Sequence, residues 1–590
     1  MPRRLRHLLL ALLAACAGAV AAQPQRPNIV LLLADDWGFS DVGAFGGEIA
    51  TPHLDELARR GMRFSNFHVT ASCSPTRAML LTGVDNHRNG VGNMRETIPQ
   101  SHVGKPGYLS VLDRNVVTVA SLLRDGGYRT YVAGKWHVGK EPHNLPPARG
   151  FDRSLVQGDS GSDNWETGKR YLDLTDRVYW YEDGKETVMP ADFYSSQFYV
   201  DKTIEYLKAD AAQAKPFFAY IGFQSNHIPL QAPAEFIAKY RGFYKNGWAA
   251  LRQARRDKAV ALGLVPASTQ LAPVATTTDW DALSDADKAY QARRMEVYAA
   301  MAEAMDFHVG RLVAHLKATG AYDNTVFLFL SDNGAEGSDP YAVTLGRWWL
   351  DRNYRRDIDS LGAKGAYTVI GPSWGSAATS PLSTYKFYAG EGGLRVPLIV
   401  AGVPGMPANR IQPDFTHVSD IVPTLLDLAG VARPGTTYQG RPVEPLTGTS
   451  LLPALTGAAG PVHGPDEPIG YELSGNQALF KGDLKLVKNL PPLGDGQWHL
   501  YDIRQDPGET RDLQQQRPEA FRAMQADYAA YAKANGVLPM PEGYEPTRQV
   551  LINALVNVYV PRLALPALAL LGLITLLIWK LRRRRRQRPS

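Results

Sequence analysis

Five short apolar runs recur along this 590-residue chain, and four of them stop at a cluster of polar residues. Residues 28–34 run into Asp35 and Asp36, and residues 128–133 into Gly134, Lys135, Trp136 and His137. Residues 216–223 run into Gln224, Ser225, Asn226 and His227, and residues 325–330 into Ser331, Asp332, Asn333 and Gly334; residues 396–400 form the fifth run. Helical patterns lie between them at 52–60, 116–124 and 290–317. A strand that is apolar at successive positions is buried on both faces. Its alternation with helices predicts an α/β fold, a large and mostly parallel sheet sandwiched by helices. Ligands gather where the strands of such sheets end in loops, and the polar clusters fall there.

Residues 417–430 read as one more helix. A Pro/Gly-rich stretch follows, then short strand patterns such as 484–487, so 431–544 is expected to be a smaller α+β subdomain after a catalytic domain at 23–430. Residues 339–370 carry few apolar repeats and are expected to form a long loop near the strand ends.

The net charge of +6 belongs to the termini. Three basic residues lie among the first six and seven among the last eleven, with no acid in either segment, so the body is mildly acidic and a nucleic-acid partner loses its main support. Residues 1–22 read as a secretory signal: basic residues, an apolar run, then small residues before Gln23. A competing reading takes Leu13-Ala14-Ala15-Cys16 as a lipobox that would acylate Cys16. Residues 563–579 are uncharged and long enough, at ~1.5 Å per residue, for a short membrane helix within 561–580, after a linker at 545–560. The arginines of the 581–590 tail should then stay cytoplasmic, placing the body on the periplasmic face of a bacterial inner membrane. A sorting tail that is later cut off is the alternative.

Asp35-Asp36 and Asp332-Asn333 offer carboxylate and amide oxygens, the donors that Ca²⁺ and Mg²⁺ favour; helix capping is the plainer role of each pair taken alone. Lys135, His137, His227 and Lys386 together could line a cationic pocket for an anion. Once residues 1–22 are removed Cys73 is the only cysteine, so it has no internal disulfide partner. Pro75 suits the first turn of a helix and places Cys73 at its N-terminus, where anions are favoured. By its chemistry Cys73 is either a nucleophile or a buried structural thiol.

Cys73-Ser74-Pro75-Thr76-Arg77 followed by Leu81-Thr82-Gly83 resembles the signature of the type I sulfatases of the alkaline phosphatase superfamily. The likeness extends through 27–36, 51–61, 134–139, 227–233, 331–337, 386–397 and 500–512, and residues 85–94 and 371–386 are similar to the bacterial aryl/alkyl sulfatase branch. Thr76 stands where serine is commoner. The resemblance implies an alkaline phosphatase-like fold and a Cys73 oxidised to formylglycine by a maturation enzyme. It implies a divalent cation, usually calcium with magnesium the alternative, held by Asp35, Asp36, Asp332, Asn333 and residue 73. It further implies that Arg77 and His137 hold the formylglycine hydrate, that Lys135 and Lys386 grip the sulfate, and that His227 assists the leaving alcohol. One hydroxyl of the hydrate would attack sulfur and the other would later expel sulfate, with Asp332 the candidate for taking the attacking hydroxyl's proton.

The expected function is hydrolysis of an aryl, alkyl or glycan sulfate ester. A phosphonate monoester or phosphodiester hydrolase on the same fold and a non-catalytic surface protein binding sulfated glycans are the alternatives. Tyr367 and Trp374 fall near the expected pocket mouth, where they would wall an aromatic leaving group or else simply pack.

Overall fold

The structure is a computed structural model and describes residues 26–586 except 214. The segment 1–22, with Cys16, and the last four residues of the basic tail lie outside the described residues.

Ten strands form the main sheet. Its centre holds five parallel strands in the order Thr325–Ser331, Asn28–Ala34, Phe217–Gly222, Arg129–Lys135 and Arg153–Gln157. Leu398–Ala401 continues the sheet antiparallel beside Thr325–Ser331, and Met62–Phe64 and Arg410–Gln412 complete that edge. Two short strands, Trp180–Glu182 and Lys185–Glu186, close the other edge. The fifth apolar run of the sequence is therefore a strand, but it runs against the others.

The near-continuous apolar runs follow from burial on both faces. Val30 and Leu32 pack beneath the 34-residue helix Asp285–Ala318 with Met295, Tyr298, Met301 and Met305. Ile29, Leu31 and Leu33 pack on the opposite face with Leu80, Leu81, Val422 and Leu425. The helix expected at 52–60 spans Pro52–Arg60, and its first turn docks on Asp306, whose carboxylate accepts from the Leu54 N–H at 2.8 Å. Where the Arg129–Lys135 strand ends, Gly134 has φ +114°, and a Cβ there would sit 2.0 Å from the Gly222 carbonyl. Only glycine lets the two strand ends approach this closely, and they carry Lys135 and the loop to His227.

Val443, Leu451 and Leu455 belong to the core of the main sheet, so the packing of the large domain continues past residue 430. Beyond it a four-stranded antiparallel sheet runs in the order Ile469–Leu473, Asn476–Lys481, Leu484–Lys488, His499–Asp502. The helix Pro518–Asn535 packs on one face through Met524 and Tyr528. The other face meets Ala71, Ala389 and Leu394, and the Ala71 N–H donates to the Tyr471 hydroxyl at 3.2 Å. The small sheet thus braces the segment leading into Cys73.

A buried charge cluster clamps the same junction. His87, five residues past the end of the helix Cys73–Thr82, meets Glu472 of the small sheet at 2.8 Å and Asp85 at 3.7 Å. Burial opposes charge on the ring, but the two carboxylates, Asp85 close by and Glu472 hydrogen-bonded, win and push His87 up to about 9. A folded-state value above the unfolded one stabilises fully below about pH 6.5 and is lost as pH rises through 9. We expect the thermal midpoint to fall between pH 6.5 and 9.5 by the equivalent of roughly 3 kcal/mol. In His87→Gln that fall should flatten, as melting curves at the two pH values would show; an unchanged pH difference would exclude His87 as its source.

Two expectations are corrected. Residues 339–370 are not one long loop, since Thr344–Asn353 is a helix within them. Residues 545–560 are not an extended linker: Pro546–Ala554 is helical and continues through a π-turn at Leu555–Tyr559 into the helix Val560–Arg586.

Candidate active site

Cys73 opens the helix Cys73–Thr82, all ten residues of which are buried. Ser72 is extended just before it and its carbonyl accepts from the Thr76 N–H at 3.3 Å, Pro75 occupies the first turn, and Gly83 ends the helix in a left-handed conformation with its N–H on the Met79 carbonyl at 2.7 Å. Thr76 ties the approach to the helix, accepting from the Thr70 N–H at 3.0 Å and sharing a hydrogen bond with the Thr70 hydroxyl at 2.7 Å. The methyl group that distinguishes it from serine is accommodated with the side chain fully buried.

The ends of the Asn28–Ala34 and Thr325–Ser331 strands lie side by side and bring both oxygen-rich pairs to the thiol. One donor atom each from Asp35, Asp36, Cys73 and Asp332 lies within 4.8 Å of the others, and all four residues are buried. Asp35 Oδ1, Asp36 Oδ2 and Asn333 Oδ1 are buried without a hydrogen-bond partner. Bare buried oxygens are costly, and here three belong to the same cluster. Burial pushes the Asp36 and Asp332 carboxyls up, and neighbouring carboxylates push them further against the opposing cations. A hard divalent cation is the group that such a donor set fits.

One further oxygen of each aspartate is committed to a cation. Lys135 Nζ donates to Asp35 Oδ2 at 2.6 Å, and Lys386 Nζ to Asp36 Oδ1 at 2.7 Å. Arg77 is fully buried; its Nε donates to Asp332 Oδ2 at 2.9 Å, a second guanidinium nitrogen lies 2.7 Å from the same oxygen, and a third bond runs to the Lys135 carbonyl at 3.0 Å. The guanidinium therefore fixes Asp332 in place as well as lying beside Cys73.

Sequence reasoning missed Glu336, which lies 3.0 Å from Lys386 Nζ. Its signal was present: a glutamate three residues past Asn333, inside a segment already singled out. With Glu336 included, four carboxylates face Arg77, Lys135 and Lys386. A divalent cation would turn the residual negative charge into a single positive one, which matches the single charge of a sulfate monoester.

Both histidines reach the site. His137 has φ +57° and is held by its carbonyl, which accepts from the Ser74 hydroxyl at 2.7 Å, while its Nδ1 is buried and unpartnered. His227 Nδ1 donates to the Ile228 carbonyl at 2.7 Å, leaving Nε2 to face the cavity, 3.3 Å from the Ser160 hydroxyl. Burial, then Lys135 and further cations, hold both rings well below the usual histidine range, so both are neutral in the free protein. Burial likewise pushes the Cys73 thiol well up, despite Lys135 and Lys386, so an unmodified Cys73 is a neutral thiol and not a thiolate.

Trp374 does not wall the site: it is fully buried against Trp248, Trp280 and Tyr244. Tyr367 packs with Tyr341 and Tyr354. The aromatic residues that do line the cavity, among them Tyr171, Trp349, Tyr385 and Phe387, were not singled out from the sequence.

A buried oxygen-donor cluster at the carboxyl ends of parallel strands, a residue at a helix N-terminus, and two lysines, one from a strand end and one from a loop, define a hydrolase for a tetrahedral anionic ester. A family model described as Sulfatase matches residues 27–431. The chain belongs to that family and is a type I sulfatase of the alkaline phosphatase superfamily, a sulfuric ester hydrolase. It is 38% identical over 536 residues to an uncharacterized sulfatase of Schizosaccharomyces pombe, covering 89% of this chain and 96% of that one. It is 36% identical over 438 residues to an arylsulfatase of Klebsiella aerogenes, covering 74% and 93%. Its fold matches the crystal structure of Ps i-CgsB in complex with k-i-k-neocarrahexaose with a TM-score of 0.62 at 24% identity, over 90% and 98% of the two chains. Sulfate ester hydrolysis therefore stands ahead of the phosphonate or phosphodiester reading and of the non-catalytic binder.

Proposed function

We propose that the protein is a membrane-anchored sulfatase that hydrolyses aryl or alkyl sulfates with a formylglycine formed from Cys73. What carries this reading is the set of donors within 4.8 Å of one another around Cys73, with bare oxygens on Asp35, Asp36 and Asn333. A calcium or magnesium ion held by Asp35, Asp36, Asp332, Asn333 and residue 73 would supply Lewis acidity toward the sulfate oxygens. Formylglycine would supply a geminal diol, one hydroxyl to attack sulfur and a second to release sulfate.

The chain's own residues divide the rest of the work. Lys135 and Lys386 neutralise sulfate oxygens as charge builds on them. Arg77 holds Asp332 and, with His137, the side chain at position 73, and Asp332 takes the attacking hydroxyl's proton. His227 presents Nε2 to the ester oxygen. Burial first and then the neighbouring cations keep this ring neutral; an arriving sulfate offsets the cations, so the ring can carry a proton to the leaving group. Sulfate release by the metal-loaded protein from aryl, alkyl and sugar sulfates, beside a phosphodiester, tests the reading; faster turnover of the phosphodiester would overturn it.

The His227 assignment makes a sharper prediction. Poor leaving groups need the proton most. Across phenyl sulfates of rising phenol pKa, His227→Ala should lose about 10²-fold or more at the high end and little at the low end. An even loss across the series would remove the acid role.

Residues 546–580 form the one helix, among the described residues, long and apolar enough to cross a membrane, and none of its apolar window is buried. A window apolar on every side and unburied fits a bilayer span. The arginines after it favour a cytoplasmic tail, with the catalytic body on the exported side after removal of the 1–22 signal. Protease added to spheroplasts should digest the body and spare a C-terminal fragment. A protected body on a membrane-bound protein would reverse this topology, and a mature protein lacking the tail would make the helix a sorting signal.

A further inference from the structure

Cys73, His227 and Lys386 line a cavity of about 550 Å³, within the range of small-molecule sites. Its walls are mostly apolar. The body contributes Leu172, Ile228 and Trp349, and the facing wall is Val550, Leu551 and Ala554 of the helix Pro546–Ala554. Tyr559, at the end of the π-turn, completes that wall. The same stretch continues without a break into Val560–Arg586, so one wall of the substrate cavity is the root of the proposed membrane helix.

That wall is built in and not merely adjacent. Asn553 is buried; its amide donates to the Glu96 and Ile98 carbonyls, both at 2.9 Å, and its carbonyl accepts from Gln100 at 2.9 Å. Nine residues on, Arg562 pairs with Asp173 at 2.8 Å and donates to the Thr175 carbonyl at 2.8 Å. These anchors, one within the wall and one just past it, hold the root of the helix at the cavity. At ~1.5 Å per residue, Tyr559 stands roughly 6 Å along the helix from the start of the uncharged run at Leu563, which is headgroup depth. Leu345 and Trp348 sit one turn apart on Thr344–Asn353, the helix that also contributes Trp349 to the cavity, and Trp348 is 51% exposed. An exposed tryptophan on the helix that lines the same cavity as Tyr559 is the kind of side chain that membrane interfaces favour.

We infer that the substrate is an amphiphilic sulfate ester resident in the outer leaflet, its sulfate seated at residue 73 and its long-chain or polycyclic apolar part in the cavity against Leu551 and Trp349. This rests on the sulfatase and membrane-anchor readings above. A polar sugar sulfate would leave the apolar wall unused, and a freely soluble aryl sulfate would have no need of the helix root.

The test uses the full-length, metal-loaded protein in phosphatidylcholine vesicles. Its substrates are primary alkyl sulfates from butyl to decyl, with 4-nitrophenyl sulfate and a sugar 6-sulfate beside them. Each methylene buried is worth up to about fourfold, so kcat/KM should rise at least about tenfold from butyl to decyl and exceed that of the sugar sulfate. In Leu551→Glu the ratio of decyl to 4-nitrophenyl kcat/KM should fall about tenfold or more, because a carboxylate then faces the alkyl chain. Turnover of 4-nitrophenyl sulfate with no chain-length dependence, or a ratio unchanged in Leu551→Glu, overturns this inference alone. No turnover of any sulfate ester by the wild-type protein overturns the sulfatase reading with it. If Leu551→Glu does not fold, the wild-type chain-length series still decides.

Discussion

Cys73→Ala is expected to give a folded protein whose turnover of sulfate esters falls by about 10⁴-fold or more, the scale of removing a nucleophile that acts as part of a unit. The fold should survive because Cys73 contributes one buried sulfur, while its helix is held by the Thr70–Thr76 bonds, the Gly83 cap and the packing of Leu80 and Leu81. Loss of that sulfur costs about 1 kcal/mol, small beside the stability of a domain. The peptide bearing residue 73 of the wild-type protein should be about 18 Da lighter than the cysteine form, since a CH₂SH group becomes an aldehyde. Cys73→Ser separates nucleophilicity from the second hydroxyl: a single hydroxyl can accept the sulfuryl group but cannot expel it, so at most one turnover is expected. Sustained full activity in Cys73→Ala would falsify the scheme.

Asp332→Asn should remove metal and activity together. The substitution keeps the shape of the side chain and takes away one charge from a cluster whose donors lie within 4.8 Å of one another. It also strips Arg77 of its main counter-charge, leaving Asp35 at 3.5 Å as the remaining carboxylate within reach. Breaking a fully buried pair by removing one partner costs about 3–5 kcal/mol, so the metal-free variant should melt well below the metal-free wild type. Turnover should fall by about 10³-fold or more, because charge stabilisation and proton transfer are both impaired. Elemental analysis, melting curves and sulfate release on the same samples check the three effects. A chelated, metal-free wild-type sample that keeps its full rate would show that the cluster has another purpose.

Much of this site could be read from the chain, because the fold places catalytic groups at strand ends and strand ends are marked in sequence. An apolar run that breaks into Asp35-Asp36 or Asp332-Asn333 shows both the element and its functional edge. Glu336 escaped notice because a single glutamate in a glycine-rich loop looks like any solvated charge; its proximity to Lys386 arises only when the loop folds back. Between its two readings, pocket wall and packing, Trp374 could not be decided from the sequence for the opposite reason. An aromatic residue near the expected mouth has the same sequence signature whether it lines a pocket or, as here, packs among Trp248 and Trp280.

The sequence by itself determined the α/β class, the positions of the central strands, the oxygen-donor pairs, the placement of Cys73 at a helix start and the apolar C-terminal stretch. Each of these is a local pattern of side-chain polarity along the backbone. Only the tertiary structure decided which strand ends are neighbours, that Leu398–Ala401 runs antiparallel, that Arg77 is committed to Asp332, and that residues 545–560 form a wall of the cavity and not a linker. Those facts depend on contacts between residues hundreds of positions apart, such as Asn553 with the Glu96 and Ile98 carbonyls. The periodicity of a single segment records which of its faces is buried, but not what is buried against it.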